Sequence, residues 1–461
     1  MVRIGWAQCD VTPDRPACLR GQFYVRVARS TRDPLTATAL AIEGERPDGS
    51  PDCAVIVSCD RVGVPARLQQ LVRDAVTADL PGLDVAKVFL HATHTHDAPE
   101  VTDGFYPPQG PGVMTGDEYA RFFSSRVADA VVRAWEGRRA GRIARAFGHA
   151  VVAHNRRAVY LGGEARMYGD TAVPDFSHIE GCEDHGVDML FTWDADSALT
   201  GVVANLACPS QIEEHLTEFS ADFWHEVRVE LRGRYGDGLF VLGQCAPAGD
   251  QSPHFLLYGR EEAEMRKRRG VSEREEAARR IVRAVEDGLE VARDSAEADP
   301  VVSHSVRTVE LPVRLVNDEE AVSAREAIER LEAEEPAGER AASMNWVQRV
   351  RNRRVLERHA QQKSSSVLPV ELHVLRLGGA VMATNPFELF LDFGLRIKAR
   401  SAAAQTMLVQ LACDGCGYLP TERAVRGRSY GAEVASNLIG PDGGQVLVDA
   451  TVEEIGRLFE G

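Results

Sequence analysis

Short apolar runs rich in β-branched residues alternate with longer amphipathic stretches, and no other feature constrains the fold of this chain as much. Runs at 54–59, 87–90, 187–193, 201–207, 238–242, 380–383 and 406–411 read as strands, because a brief apolar segment bounded by polar or turn residues suits a buried pleat. Helical periodicity is expected near 63–78, 117–136, 221–234, 272–294, 318–334, 340–362 and 387–400. The mixture predicts an α/β fold of layered mixed sheets flanked by helices. The charged stretch 258–295 reads as an amphipathic surface helix with a turn near Gly270, and its basic run 265–269 as a solvated face. The polar helical stretch 317–363 reads as an insertion or arm between two sheet regions. With no internal repeat and no low-complexity linker, residues 1–461 are expected to form one continuous domain.

Five polar motifs each follow one of these strands: His94-Thr95-His96, Cys208-Pro209-Ser210, Gly249-Asp250-Gln251-Ser252-Pro253, Pro386-Phe387-Glu388 and Gly417-Tyr418-Leu419-Pro420-Thr421. In layered α/β proteins ligands bind in the crevice beyond the carboxyl ends of strands, so motifs far apart in sequence can meet there. If the chain stays extended through Thr93, alternation sends His94 and His96 to one face, where one can ligate a metal and the other can serve the substrate. Imidazole, thiolate, carboxylate and phenol together suit zinc better than magnesium or calcium. Each motif also has an ordinary reading. The histidines can be polar residues of a strand end, Cys208 a small buried hydrophobe, Glu388 a residue favouring a helix dipole and Tyr418 a core aromatic. Arg156 beside Arg157 can be half of a surface pair, and Ser252 before Pro253 a turn. The recurrence of polar motifs after strands favours a site.

The formal charge of −16 argues against nucleic acid and anionic membrane surfaces as partners, since polyanions reward clusters of Lys and Arg. No stretch reaches the roughly 18 apolar residues of a membrane span, and the N-terminus passes into structured-looking sequence with no apolar leader. A cytoplasmic protein acting on a small molecule is expected, with homo-oligomer formation left open. Nine cysteines, scattered through apolar segments, fit a reducing compartment. Cys413-Asp414-Gly415-Cys416 lacks the second CxxC of a zinc ribbon.

The motifs, in order and approximate spacing, resemble the catalytic domain of the neutral ceramidases, zinc-dependent amidases that hydrolyse an N-acyl bond. The resemblance runs from Gly5-Trp6-Ala7-Gln8-Cys9-Asp10-Val11-Thr12-Pro13 through Thr93-His94-Thr95-His96, Asn155-Arg156, Ser220-Ala221-Asp222 and Gly249 to Pro253, and on to Pro386-Phe387-Glu388 and Gly417 to Thr421. It implies zinc ligands at His94, Glu388 and Tyr418. It also implies a substrate- or water-facing role for His96, oxyanion stabilisation by Arg156, and a substrate-facing Tyr430. Ser252 falls in a motif once read as holding a serine nucleophile; with a metal nearby, a supporting role is preferred. The chain departs from the pattern where the family has a His-Pro pair: here it is Cys208-Pro209, so Cys208 is expected as the fourth ligand, with His215 and His225 as alternatives. The chain ends at Gly461, so the family's extra C-terminal β-domain is not expected in it.

The leading expectation is therefore a zinc-dependent hydrolase of an amide bond in a soluble small molecule. Ester or lactone hydrolysis, or metal-assisted elimination, on the same site is the nearest alternative. A binding protein that has lost the metal, and a serine or cysteine hydrolase using Ser252 or Cys208, are more distant ones. The polar cluster at 178–185 reads as a lid or an ordinary loop.

Overall fold

The computed structural model of the protein describes residues 1–362, 364 and 366–460; Lys363, the last residue of the expected insertion, lies outside them. Two-faced burial organises the fold. Along the strand Thr36–Glu45, Ala37, Ala39 and Ala41 face the helices Ala66–Asp79 and Gly116–Glu136, while Leu40 and Ile42 face a second sheet. The neighbouring strand Pro51–Cys59 repeats this, with Val55 and Val57 outward and Ala54 and Ile56 inward. A period of two therefore gives one strand two apolar faces.

Eight strands form the larger sheet, in the spatial order Phe240–Cys245, Leu199–Leu206, Gly186–Asp194, Arg139–His149, Arg3–Asp10, Thr36–Glu45, Pro51–Cys59 and Val88–Ala92. The pair at each edge is parallel and the interior pairs are antiparallel. A four-stranded sheet, Val302–Pro312, Val367–Leu377, Ala380–Thr384 and Gln405–Val409, packs face to face on it. Leu40, Ile56, Phe89 and Leu242 meet Leu375, Met382, Met407 and Val409 there. Helices Ala66–Asp79, Gly116–Glu136, Phe223–Tyr235 and Glu273–Ala292 cover the outer face of the large sheet, and Leu391–Arg400 and Pro441–Glu460 that of the small one. The layers run helix, sheet, sheet, helix.

All seven expected strands occur, shifted by a few residues. Five further strands of the two main sheets were not anticipated: Arg3–Asp10, Thr36–Glu45, Arg139–His149, Val302–Pro312 and Val367–Leu377. In Arg3–Asp10 and Thr36–Glu45, small residues hide the β pattern for a packing reason. A Cβ added at Gly5 would run into the carbonyl of Ala134 in the helix Gly116–Glu136, so the close approach of helix and sheet selects small side chains over β-branched ones. The 258–295 stretch is two helices, Gly259–Arg269 and Glu273–Ala292, broken at Gly270 with φ +69°. The arm consists of Asp318–Ala333 and Gly338–Gln361 packed on each other.

Three parallel strand pairs bring their carboxyl ends together. Pro51–Cys59 with Val88–Ala92 carries Asp60, Arg61 and the histidine motif; Leu199–Leu206 with Phe240–Cys245 carries the Cys208 and Gly249 loops; Ala380–Thr384 with Gln405–Val409 carries Glu388 and Tyr418. Ser210 Oγ donates to the Thr93 carbonyl (2.8 Å), Gln410 N to the Cys245 carbonyl (3.1 Å) and Gly249 N to the Leu389 carbonyl (2.9 Å), which locks the three ends to one another. Among the described residues no helix is long and apolar enough to cross a membrane.

Candidate functional site

Asp60, fully buried at the end of its strand, fixes the histidine loop. It accepts two hydrogen bonds from Arg228 (2.7 and 2.9 Å), two from Thr36 and one from Thr93 Oγ1 (3.3 Å). The strand stops at Ala92, and His94 takes a left-handed φ of +69° that a residue with a Cβ rarely adopts. Such strain persists only where surroundings over-determine it. Extended alternation therefore does not reach the motif. The His94 and His96 rings lie 5.1 Å apart at 70° and engage different partners.

His94 Nδ1 lies 2.6 Å from the Val62 carbonyl, which can only accept, so Nδ1 carries a proton and the ring turns Nε2 outwards. Nε2 stands 3.3 Å from Glu388 Oε2. A proton on Nε2 or a metal ion between the two atoms would answer the carboxylate's charge. Ligands about 2.0–2.1 Å from a tetrahedral zinc stand roughly 3.3 Å apart, so the spacing fits a metal. Tyr418 supplies a third donor: the two-residue strands Glu388–Leu389 and Tyr418–Leu419 pair in parallel with Glu388 beside Tyr418, and the phenol donates to the carboxylate. Burial opposes ionisation of Glu388, but His94, the Tyr418 hydroxyl and Arg156 outweigh it and hold the carboxyl below its ordinary range. Burial, with Glu388 adjacent, pushes the Tyr418 phenol well above its ordinary range.

Arg156 backs this trio. Its Nη2 donates to Tyr418 Oη (3.1 Å) and the Gly249 carbonyl (2.9 Å), and its Nη1 to Tyr168 Oη (3.3 Å). The Gly249 loop passes so close that a Cβ there would collide with the Glu388 carbonyl. Asp250 clamps both sides, accepting from Leu391 N and Asn155 Nδ2 (2.9 Å each). Tyr430 stacks edge-on against Tyr418, centroids 5.2 Å apart, and with His94, Glu388 and Tyr418 it lines a cavity of about 420 Å³.

Other expected residues sit elsewhere. Cys208, 1 % exposed, turns its Sγ into the apolar packing behind the sheet, 3.5 Å from the Val152 and Pro209 carbonyls, and does not line the cavity. Burial raises its thiol well above the ordinary range, which suits a neutral packed side chain and not a thiolate ligand. His215 is exposed and meets the Tyr24 hydroxyl (3.1 Å), and His225 lies in the first turn of Phe223–Tyr235; neither lines the cavity. His96 is wedged against Gly21, with Nδ1 3.0 Å from Glu214 and Nε2 2.6 Å from Gln211 Nε2. Both its nitrogens are occupied by protein, so it props the loop instead of facing the cavity. Ser252 Oγ meets Tyr168 Oη (3.0 Å) and accepts from His254 N (3.1 Å); no imidazole nitrogen is hydrogen-bonded to it among the described residues, so it lacks the base of a serine nucleophile.

A second cluster of potential ligands, Glu371, His373 and Cys413, lies between the helix Ala66–Asp79 and the small sheet. Arg73 grips both oxygens of Glu371 (2.8 and 3.0 Å), and His304 Nε2 faces His373 Nδ1 at 3.0 Å. A guanidinium already neutralises this carboxylate.

Several residues about the site escaped the sequence reading. Arg157 forms a buried two-pronged pair with Glu180 (2.7 and 3.1 Å) and donates to the carbonyls of Arg428 and Tyr430, holding the Tyr430 segment. The 178–185 loop is thus a brace at Glu180, and at Glu183 it meets His154 and His185, both at 3.2 Å. Arg20, Arg61, Arg351, Arg354 and Arg358 all line the cavity. The last three stand at i, i+3 and i+7 on the arm helix, a spacing visible in the sequence.

No protein-family model and no curated protein matches the chain. Among solved structures, neutral ceramidase from Pseudomonas aeruginosa superposes with a TM-score of 0.68 at 16 % identity, over 99 % of this chain and 75 % of that one. A ceramidase complexed with C2 gives the same TM-score and identity over 100 % of this chain and 75 % of that one. The chain has a neutral ceramidase-like fold.

Proposed function

We propose that this chain is a metal-dependent hydrolase of an amide bond, with His94, Glu388 and Tyr418 as metal ligands and zinc as the metal. The observation that carries this reading is His94 Nε2 set 3.3 Å from the Glu388 carboxylate, with Tyr418 paired beside it, at the wall of a cavity. Three protein ligands with a position open to the cavity is the composition of a catalytic zinc site. A bound zinc would supply Lewis acidity, polarising a carbonyl and bringing the pKa of water towards neutrality.

The chain's own groups do the rest. The Val62 carbonyl fixes the His94 tautomer. Arg156, too enclosed to line the cavity, positions Tyr418 and offsets the negative charge gathered by Glu388 and the phenol. Tyr430 lines the cavity beside Tyr418, where its hydroxyl could donate to a carbonyl oxygen as charge develops there. His96, Gln211 and the Glu214 carboxylate form a prop behind the loop, with burial lowering His96 to about 4. The ceramidase neighbours, named for the amide ceramide, support the choice of an amide over an ester.

Elemental analysis of the purified protein is expected to give one zinc per chain, and chelation is expected to abolish release of acid and amine from N-acyl substrates. A metal-free protein that hydrolyses them undiminished would sink the reading.

A further inference from the structure

The cavity beside His94 is electropositive in a chain whose net charge is −16. Five arginines line it against two carboxylates, Glu100 and Glu388, and only Arg20 has a carboxylate partner, Glu100 at 3.0 Å. Arg61 is 3 % exposed; its Nε donates to the Gly63 carbonyl and its Nη1 has no hydrogen-bond partner. Among the described residues no carboxylate pairs with Arg61, Arg351, Arg354 or Arg358. Arg351 reaches only Ser436 Oγ (3.0 Å) and Gln348 Oε1 (3.3 Å), and lies over the Phe23 ring at 4.6 Å. Arg358 donates to the Val434 and Arg314 carbonyls. Burial lowers Arg61, Arg354 and Arg358 from the ordinary guanidinium range, as expected for cations desolvated without enough opposite charge.

A buried, unpaired guanidinium is costly, and it is conspicuous where the surface as a whole is acidic. The aromatic rings of Phe23 and Phe105 hold the planes of Arg351 and Arg20 at the cavity wall. We infer that the substrate carries an oxyanion, a carboxylate or a phosphate, which Arg61 and the arm arginines Arg351 and Arg354 bind while its amide lies at His94, Glu388 and Tyr418. The arm helix Gly338–Gln361 is then a specificity wall. The placing of the amide rests on the reading above; the anion subsite does not.

Titration calorimetry of the full, metal-stripped chain tests this with three probes that share one acyl group: N-hexanoylglycine, the phosphate monoester of N-hexanoylethanolamine, and neutral N-hexanoylethanolamine. At least one anion is expected to bind about 30-fold more tightly than the neutral amide, and whichever anion does so identifies the source of the oxyanion. Arg351→Met with Arg354→Met, on a half-exposed helix face, is expected to remove about tenfold or more of that preference, near the worth of one charge-assisted contact. Arg61→Met should remove more; should it fail to fold, the arm pair still decides. The neutral probe binding within about threefold of both anions, or an unchanged preference in the arm variant, overturns the inference. Zinc content of the unstripped protein, measured alongside, reports on the metal reading separately.

Discussion

The molecule holds two clusters built from nearly the same side chains. At His94, Glu388 and Tyr418 a carboxylate faces an imidazole nitrogen at the wall of a cavity, and the guanidinium of Arg156 contacts the phenol. At Glu371, His373 and Cys413 the ligand atoms are also close, but Arg73 occupies both carboxylate oxygens and the cluster lines none of the principal cavities. A list of residue types would rank them alike. What separates them is whether the carboxylate's charge is already answered by the protein and whether a substrate can arrive. Compensated charge serves stability; charge left unanswered beside a cavity serves binding.

The sharpest way to break this contrast is to neutralise one carboxylate at a time. Glu388→Gln keeps the volume and removes the anion, so it is expected to lose the metal and lower kcat/KM by about a thousandfold or more, with His94→Ala doing the same. Metal content by elemental analysis and hydrolysis of N-acyl substrates read this out. Retention of full metal in both variants would transfer attention to the second cluster.

Much of this was legible before the structure, and the parts that were not share a cause. The motif order pointed to His94, Glu388, Tyr418, Tyr430 and Arg156, which the fold brings around one cavity from three parallel strand pairs. Parallel strands are buried on both sides and so announce themselves as apolar runs. The antiparallel centre of the large sheet did not, because Gly5 and the alanines of Thr36–Glu45 are small where the helix Gly116–Glu136 presses close. His96 was misjudged for a different reason. Spacing within a strand says nothing once one residue turns left-handed, as His94 does. Arg61 and the arm arginines could be counted but not weighed, since an arginine matters here only through the carboxylate it lacks, and partners are a property of the folded chain.

Glu371→Gln makes the complementary test. It leaves Arg73 facing a neutral amide in a half-buried site, so stability to urea should fall by about 1–3 kcal/mol, discounted because the Glu371 side chain is 31 % exposed. Metal content and kcat/KM are expected to stay within about twofold of the parent, because no substrate or ion depends on that carboxylate. Loss of metal here would erase the distinction between the clusters.

Cys208 gives the smallest effect and bears on where this chain departs from the motif pattern its sequence resembles. As a ligand, its removal would take a thiolate from the metal and release it. As a packed thiol behind the sheet, its removal opens a cavity the size of one sulfur. The Sγ contacts with two carbonyls, its burial among Val152, Val187 and Phe223, and the elevated thiol all belong to the second case. Cys208→Ala should therefore cost about 1 kcal/mol in a urea titration and leave zinc stoichiometry unchanged. A one-for-one loss of zinc would return the fourth ligand to Cys208 and require its side chain to turn from the apolar layer towards His94.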